Sequence, residues 1–223
     1  MNVHGIQLSG ENKYKNGMFT ETQIEELNKS FEKATPAEII QRAFELDKNA
    51  VVTTNFRPYE AAILHAVSKA EASIPVVWCD TGYNTPQTYK HAEQVIKDLN
   101  LNVSLYVPKQ TAAHRDVVMG IPSIDAPEHA LFTEQVKLEP FTRAMDEHKP
   151  NVWFTNLRQG QTAFRNSIGI FSLSKSGVLK VSPFYFWSDE KLDKYLEENK
   201  LPNEFKYFDP TKALENRECG LHA

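Results

Sequence analysis

Residues 50–82 read AVVTTNFRPYEAAILHAVSKAEASIPVVWCDTG. Ala50 to Thr53 and Ile74 to Cys79 are short apolar runs of strand character, and between them Tyr59 to Ala72 sets Ala, Ile, Leu and Val at helical spacing. A strand, a helix and a second strand in that order form a right-handed crossover between two parallel strands. The alternation continues with a helix at Pro86 to Leu99, a strand at Val103 to Val107, a helix at Leu138 to His148 and a strand at Val152 to Thr155. The pattern predicts an α/β fold, an open and mostly parallel sheet with helices on both faces.

Upstream, Ile24, Leu27 and Phe31 have helical spacing, and Thr35-Pro36-Ala37-Glu38 is a capping box that opens a further helix. Ser188 to Asn199 reads as the last helix. Residues 1–20 are polar and glycine-containing, an irregular arm, and residues 200–223 read as a mobile C-terminal tail. No linker-like shift in composition separates Glu21 from Asn199, so residues 1–223 are expected to form a single domain.

Composition narrows the function. The 223 residues are 41% hydrophobic and 24% charged, which is ordinary for a folded domain and rules out disorder or a disulfide scaffold. Twenty-five Lys and Arg against 29 Asp and Glu give a net charge of −4 without a basic run, which argues against long nucleic acid as a partner. The N-terminal MNVHGIQLSGENKYKNG lacks an apolar signal core, and the longest apolar run is far too short to cross about 30 Å of hydrocarbon. No membrane association and a cytoplasmic, reducing location are therefore expected. The two cysteines, Cys79 and Cys219, belong to no CxxC or Cys/His cluster, so no metal or iron–sulfur ligand set is expected.

In an open parallel sheet, ligands gather at the carboxyl ends of the strands, where strand order reverses. Three polar loops follow predicted strands there. Thr53, Thr54 and Asn55 precede a helix, as an anion site does and as ordinary strand-to-helix capping also does. Asp80, Thr81 and Gly82 fit a contact to ribose or base, or a plain Asp-Gly turn. Arg158 and Arg165, with Gln161 between them, put two fixed cations on one loop, as recognition of phosphate or sulfate requires. Cys79 ends an apolar strand and reads as a buried small hydrophobe, and His65 as a satisfied core histidine. Cys219 lies among polar neighbours near the C-terminus, where Arg217 and His222 can favour the reactive thiolate; an exposed accidental thiol is the alternative.

Together these stretches resemble the phosphoadenosine phosphosulfate (PAPS) reductase family. The residues that carry the resemblance are Val52 to Phe56, Asp80-Thr81-Gly82-Tyr83 with Thr85 to Tyr89, Glu139 to Ala144, Trp153 to Arg165, Lys180 to Pro183 leading to Trp187, and the terminal Glu218-Cys219-Gly220-Leu221-His222. The resemblance implies an adenine nucleotide α-hydrolase-like fold and a substrate site built from Thr53, Thr54, Asn55, Phe56, Arg57, Asp80, Thr81, Gly82, Arg158, Gln161, Arg165, Arg217 and His222. It also implies that the Cys219 thiolate attacks the sulfur of PAPS and releases adenosine 3′,5′-bisphosphate. Thioredoxin or glutaredoxin, as an external reductant, then frees sulfite from the cysteine S-sulfonate. No bound cofactor is implied: relatives that reduce adenosine phosphosulfate carry extra cysteines for an iron–sulfur cluster, and this chain has none. It departs from the family in two places. Arg57-Pro58 stands where a Gly normally follows the Phe, so that a charged fork replaces a close backbone approach, unless Arg57 simply pairs with Glu60; and the segment between Tyr195 and Cys219 is short. A related sulfonucleotide or ATP-pyrophosphatase-type enzyme, or a degenerate nucleotide-binding protein, are the alternative functions, and whether the chain forms a homodimer is open.

Overall fold

The structure, a computed structural model, describes residues 19–212. It opens with α1 (Glu21–Phe31) and α2 (Pro36–Leu46), each started by a complete capping box on Thr20 and Thr35. In the second box the Thr35 N–H donates to Glu38 Oε2 at 2.7 Å, an arrangement in which the threonine cap contributes about 1 kcal/mol. Strands and helices then alternate as β1 (Ala50–Thr54), α3 (Glu60–Ala70), β2 (Pro75–Cys79), α4 (Pro86–Leu99) and β3 (Asn102–Tyr106). After α5 (Ala112–Val118) and α6 (His129–Thr133), a π-helical turn at Glu134–Leu138 leads into α7 (Glu139–His148). β4 (Val152–Phe154), β5 (Phe171–Leu173), β6 (Leu179–Val181) and α8 (Asp189–Glu198) complete the described fold.

The six strands form one sheet in the order β3-β2-β1-β4-β6-β5, parallel except for β5, which runs antiparallel to β6. Side chains alternate across it with the period of two that a pleated strand imposes. Val52, which pairs with Val76 and Phe154, joins those residues, Val181 and the apolar faces of α2, α3, α4 and α8 in the larger core. Val51, Val77, Cys79 and Trp153 point the other way, onto Ala144 of α7. Helices thus cover both faces, as expected. At one edge of the sheet, Asn28 of α1 exchanges two hydrogen bonds with the main chain of Phe171, at 2.8 and 2.9 Å, and so engages main-chain groups of the edge strand β5. Gly169 makes room for that contact: a Cβ there would come 2.7 Å from Asn28 Oδ1.

The expected strands and helices are present with ends moved by a residue or two, while α5, α6, β5 and β6 were not anticipated. The beginning of the C-terminal segment, residues 201–212, runs without helix or strand along the sheet's carboxyl side. Its Lys206 carbonyl accepts from the hydroxyls of Thr85 and Thr88 at 2.6 and 3.2 Å, and Asn203 Oδ1 accepts from the Tyr59 N–H at 2.8 Å. Among the described residues, no helix is long and apolar enough to cross a membrane.

Candidate functional site

The chain builds β1, β2 and β3 in one direction and then returns to place β4 on the other side of β1. The reversal falls between β1 and β4, and their carboxyl ends open onto a crevice. Its inner part, a cavity of about 70 Å³, is bounded by Thr53 and Thr54 at the end of β1, by Asn55, Arg57 and Glu60 beyond it, and by Thr155, Asn156 and Leu157 after β4. Arg57, Arg165 and Lys212 also border an adjoining outer cleft of about 570 Å³ that includes Arg158, Gln161 and Asp189.

The loop after β1 is held by its own side chains. Thr54 Oγ1 accepts from the Phe56 N–H at 2.9 Å and donates to Glu60 Oε2 at 2.8 Å. The Phe56 ring is 1% exposed and meets the Trp78 indole edge-on, 4.8 Å between centroids, so Phe56 supports the loop from inside the core. Phe56 and Tyr59 both adopt left-handed backbone (φ 52° and 69°), costly for non-glycine residues and sustained here by these contacts. Arg57 does not share that conformation, so the absence of glycine at this position brings no backbone strain. Its Nε donates to Glu60 Oε1 at 2.8 Å, and its Nη2 reaches the Asn156 carbonyl across the crevice at 3.4 Å. Thr53, on the crevice floor, accepts from Trp153 Nε1 at 2.9 Å.

The loop after β4 is bound together by Gln161. Its Oε1 accepts from the Arg158 N–H and from Arg165 Nη1. The Arg165 carbonyl accepts from the Tyr185 hydroxyl at 2.6 Å, which pins the turn to the domain. Both arginines are largely buried and reach the same side of the sheet. They are held differently, however: Arg158 forms an ion pair with Asp189 at 2.6 Å, donates to the Trp187 carbonyl, and lies over the Tyr59 ring at 5.2 Å.

The turn after β2 sits beside these loops but borders neither cavity. Asp80 Oδ1 accepts from the Gly82 N–H, Asn84 Nδ2 and the Tyr89 hydroxyl at 2.9 to 3.0 Å, and Gly82 takes φ +81°. Asp80, Thr81 and Gly82 therefore form a closed turn at the end of the neighbouring strand. Cys79 is buried, and its thiol is pushed up to about 12 by that burial, with Arg143 and Lys137 opposing. His65 Nδ1 meets the Tyr195 hydroxyl at 2.8 Å, with burial lowering its pKa. Cys219, Arg217 and His222 lie outside the described residues.

Several crevice residues were not singled out from the sequence: Lys137, Asn156, Asp209 and Lys212; Glu60 was expected only as an alternative partner of Arg57, and it does pair with it. Lys137 projects from the π-helical turn and Asp209 from the C-terminal segment, and they form a buried ion pair at 2.5 Å. Asn156 Oδ1 is buried without a hydrogen-bond donor among the described residues. The inner cavity gathers Arg57, Lys137, Arg165 and Lys212 against two carboxylates, Glu60 and Asp209, in a chain whose net charge is −4. Concentrating cations at a strand switch point favours an anionic ligand. Among the described residues, no group of three or more His, Cys, Asp or Glu is arranged to hold a metal ion.

The fold and crevice define a protein of the adenine nucleotide α-hydrolase-like class. An NH3-dependent NAD synthetase from Campylobacter jejuni shares this fold at a TM-score of 0.53 and 9% identity, over 82% of this chain and 76% of that one. PAPS reductase from Candida auris, solved as a phosphate complex, matches at a TM-score of 0.73 and 26% identity, over 83% of this chain and 89% of the other. The phosphoadenosine 5′-phosphosulfate reductase of Vibrio cholerae is 32% identical over 182 residues, 81% of this chain and 72% of the relative. Residues 49–208 match the model of the phosphoadenosine phosphosulfate reductase domain, and the chain belongs to that family.

Proposed function

We propose that this chain acts as one domain that reduces PAPS to sulfite and adenosine 3′,5′-bisphosphate in sulfate assimilation. The observation that carries the reading is the cationic crevice at the β1/β4 switch point in a chain of this family. The nucleotide's anionic groups lie against Arg57, Arg165 and Lys212, and Arg217 and His222 complete the site from the terminal motif.

The chemistry proceeds in two transfers. The Cys219 thiolate attacks the sulfur of PAPS, the S–O bond to the nucleotide breaks, and adenosine 3′,5′-bisphosphate leaves with that oxygen. A phosphate is a good leaving group, and the product on the enzyme is a cysteine S-sulfonate. A thiolate of thioredoxin, or of glutaredoxin, then attacks Cys219 Sγ and expels sulfite. Its second thiol resolves the mixed disulfide and restores Cys219. This cycle needs a reducing compartment, so the cytoplasm is the proposed location.

Incubation with PAPS alone, followed by intact-mass measurement, tests the first transfer. The expected result is one added SO₃, lost on treatment with reduced thioredoxin and absent in Cys219→Ser. An unmodified wild-type protein that binds the nucleotide would overturn the mechanism.

A further inference from the structure

In a loop that binds an anion through its backbone, N–H groups point outward to the ligand. At the end of β1 the chain itself supplies the acceptors. The Asn55 N–H and the Thr54 hydroxyl both donate to Glu60 Oε2 at 2.8 Å, and the Phe56 N–H donates to Thr54 Oγ1. The second oxygen of the same carboxylate accepts from Arg57 Nε at 2.8 Å. Glu60 is 5% exposed and stands at the first residue of α3, where the helix dipole also favours a negative charge. A carboxylate is buried this deeply only where it is paired and hydrogen-bonded, as Glu60 is here.

We propose that Glu60 is a positioning residue, an internal anion that occupies the loop's donors and fixes Arg57 across the crevice. The phosphosulfate end of the nucleotide is then held by arginine side chains and not by the backbone of this loop. The geometry of Arg57 supports this. Pro58 restrains the turn between Arg57 and Glu60, and Arg57 spans from Glu60 to the Asn156 carbonyl, joining the ends of β1 and β4. Its guanidinium borders both the inner cavity and the outer cleft. The inference deepens the proposed function and rests on it.

Two measurements test it. Glu60→Gln keeps the side chain's shape but removes its charge and sets an amide donor against either Arg57 Nε or the Asn55 N–H. Its dissociation constant for adenosine 3′,5′-bisphosphate and its KM for PAPS are expected to rise about tenfold, with kcat changed less than about threefold. Arg57→Ala should show the same pattern, and the double variant should lose no more than either single one, because the two residues act as a unit. Affinity of Glu60→Gln within about twofold of wild type, or losses that multiply in the double variant, would overturn the role of Glu60. Should Glu60→Gln fold poorly, the wild-type amides provide the second measurement. The Asn55 and Phe56 N–H groups should be protected from exchange before ligand is added and should change little on saturation with adenosine 3′,5′-bisphosphate. Strong new protection on binding would place the phosphate on the loop backbone and refute the inference. A wild-type protein that neither binds this nucleotide nor turns over PAPS would refute the proposed function itself.

Discussion

Lys137 Nζ and Asp209 Oδ2 meet at 2.5 Å, with only 5% and 8% of their side chains exposed, and tie the C-terminal segment to the π-helical turn beside the crevice. Thr211 adds two hydrogen bonds to Asp209 Oδ1, from its N–H at 3.0 Å and its hydroxyl at 2.6 Å. Burial by itself would raise the Asp209 carboxyl, but the Lys137 ammonium and the Thr211 donors outweigh it and hold the carboxyl below its usual 3.8. A folded-state pKa below the unfolded one gives stability that is complete above the unfolded value. That stability is lost as pH falls through the folded one.

Asp209→Ala should therefore cost about 3–5 kcal/mol at neutral pH, since it leaves the Lys137 charge buried without its counter-ion. Denaturant unfolding at a series of pH values checks this. The gap between wild type and variant should be constant from neutral pH down to about 4 and shrink below it. A gap that does not narrow in acid would show that Asp209 acts through packing and not through its charge.

Arg165 and Gln161 make a graded pair. Arg165 borders both the inner cavity and the outer cleft, whereas Gln161 serves mainly to hold it, through the bond between Arg165 Nη1 and Gln161 Oε1. Removing a buried charged partner of a phosphate costs about 2–5 kcal/mol, so Arg165→Ala should weaken adenosine 3′,5′-bisphosphate by well over tenfold in calorimetry. Gln161→Ala should weaken it by less, about three- to tenfold, because the guanidinium remains and loses only this one bond. The opposite ranking would move the anion away from Arg165.

The cysteines should separate cleanly by chemistry. With the Cys79 thiol pushed up to about 12 by burial, only about one molecule in ten thousand is thiolate at pH 8. Iodoacetamide at that pH should label one site per folded chain, and Cys219→Ser should abolish it. Cys79→Ser should keep the labelling and turnover and lose about 1–3 kcal/mol of stability, because a hydroxyl replaces a thiol in an apolar setting. Labelling at Cys79 in the native protein would contradict the burial seen at the end of β2.

What was legible in the sequence followed from apolar period. Val51, Val52, Val76 and Val77 announced two strands because each strand is buried on both faces. The hairpin of β5 and β6 was not visible, since Ser172 and Lys180 interrupt its two three-residue strands, whereas the equally short β4 is an unbroken apolar run. α5 was missed for a different reason. Its one buried residue is Arg115, so the helix lacks the apolar stripe that periodicity detects, although Thr111 caps it in the ordinary way. At the site, strand ends and arginines were readable because the switch-point rule and the chemistry of anions point to the same loops. Glu60 was readable only as a neighbour of Arg57, because its contacts with Thr54 and Asn55 depend on how the loop turns. Lys137 and Asp209 are 72 residues apart and meet only once the C-terminal segment folds back over the crevice.

Arg158 gives the last prediction, and it differs from that for Arg165. Its Nη2 is paired with Asp189 at 2.6 Å, and the guanidinium lies over the Tyr59 ring at 5.2 Å, so much of its charge is already matched within the protein. Asp189 is 62% exposed, which means that salt and solvent weaken this pairing and an anionic ligand can compete with it. Asp189→Asn should consequently tighten adenosine 3′,5′-bisphosphate by about two- to fivefold at low ionic strength, with the gain fading as salt is added. Arg158→Ala should show its loss in thermal stability as well as in binding, because it also removes the contact with Tyr59 and the bond to the Trp187 carbonyl. Calorimetry across a salt series decides between the two roles. If Asp189→Asn binds no more tightly than wild type at any ionic strength, Arg158 is a structural bridge between the β4 loop and α8, and Arg165 is the anion-binding arginine of the pair.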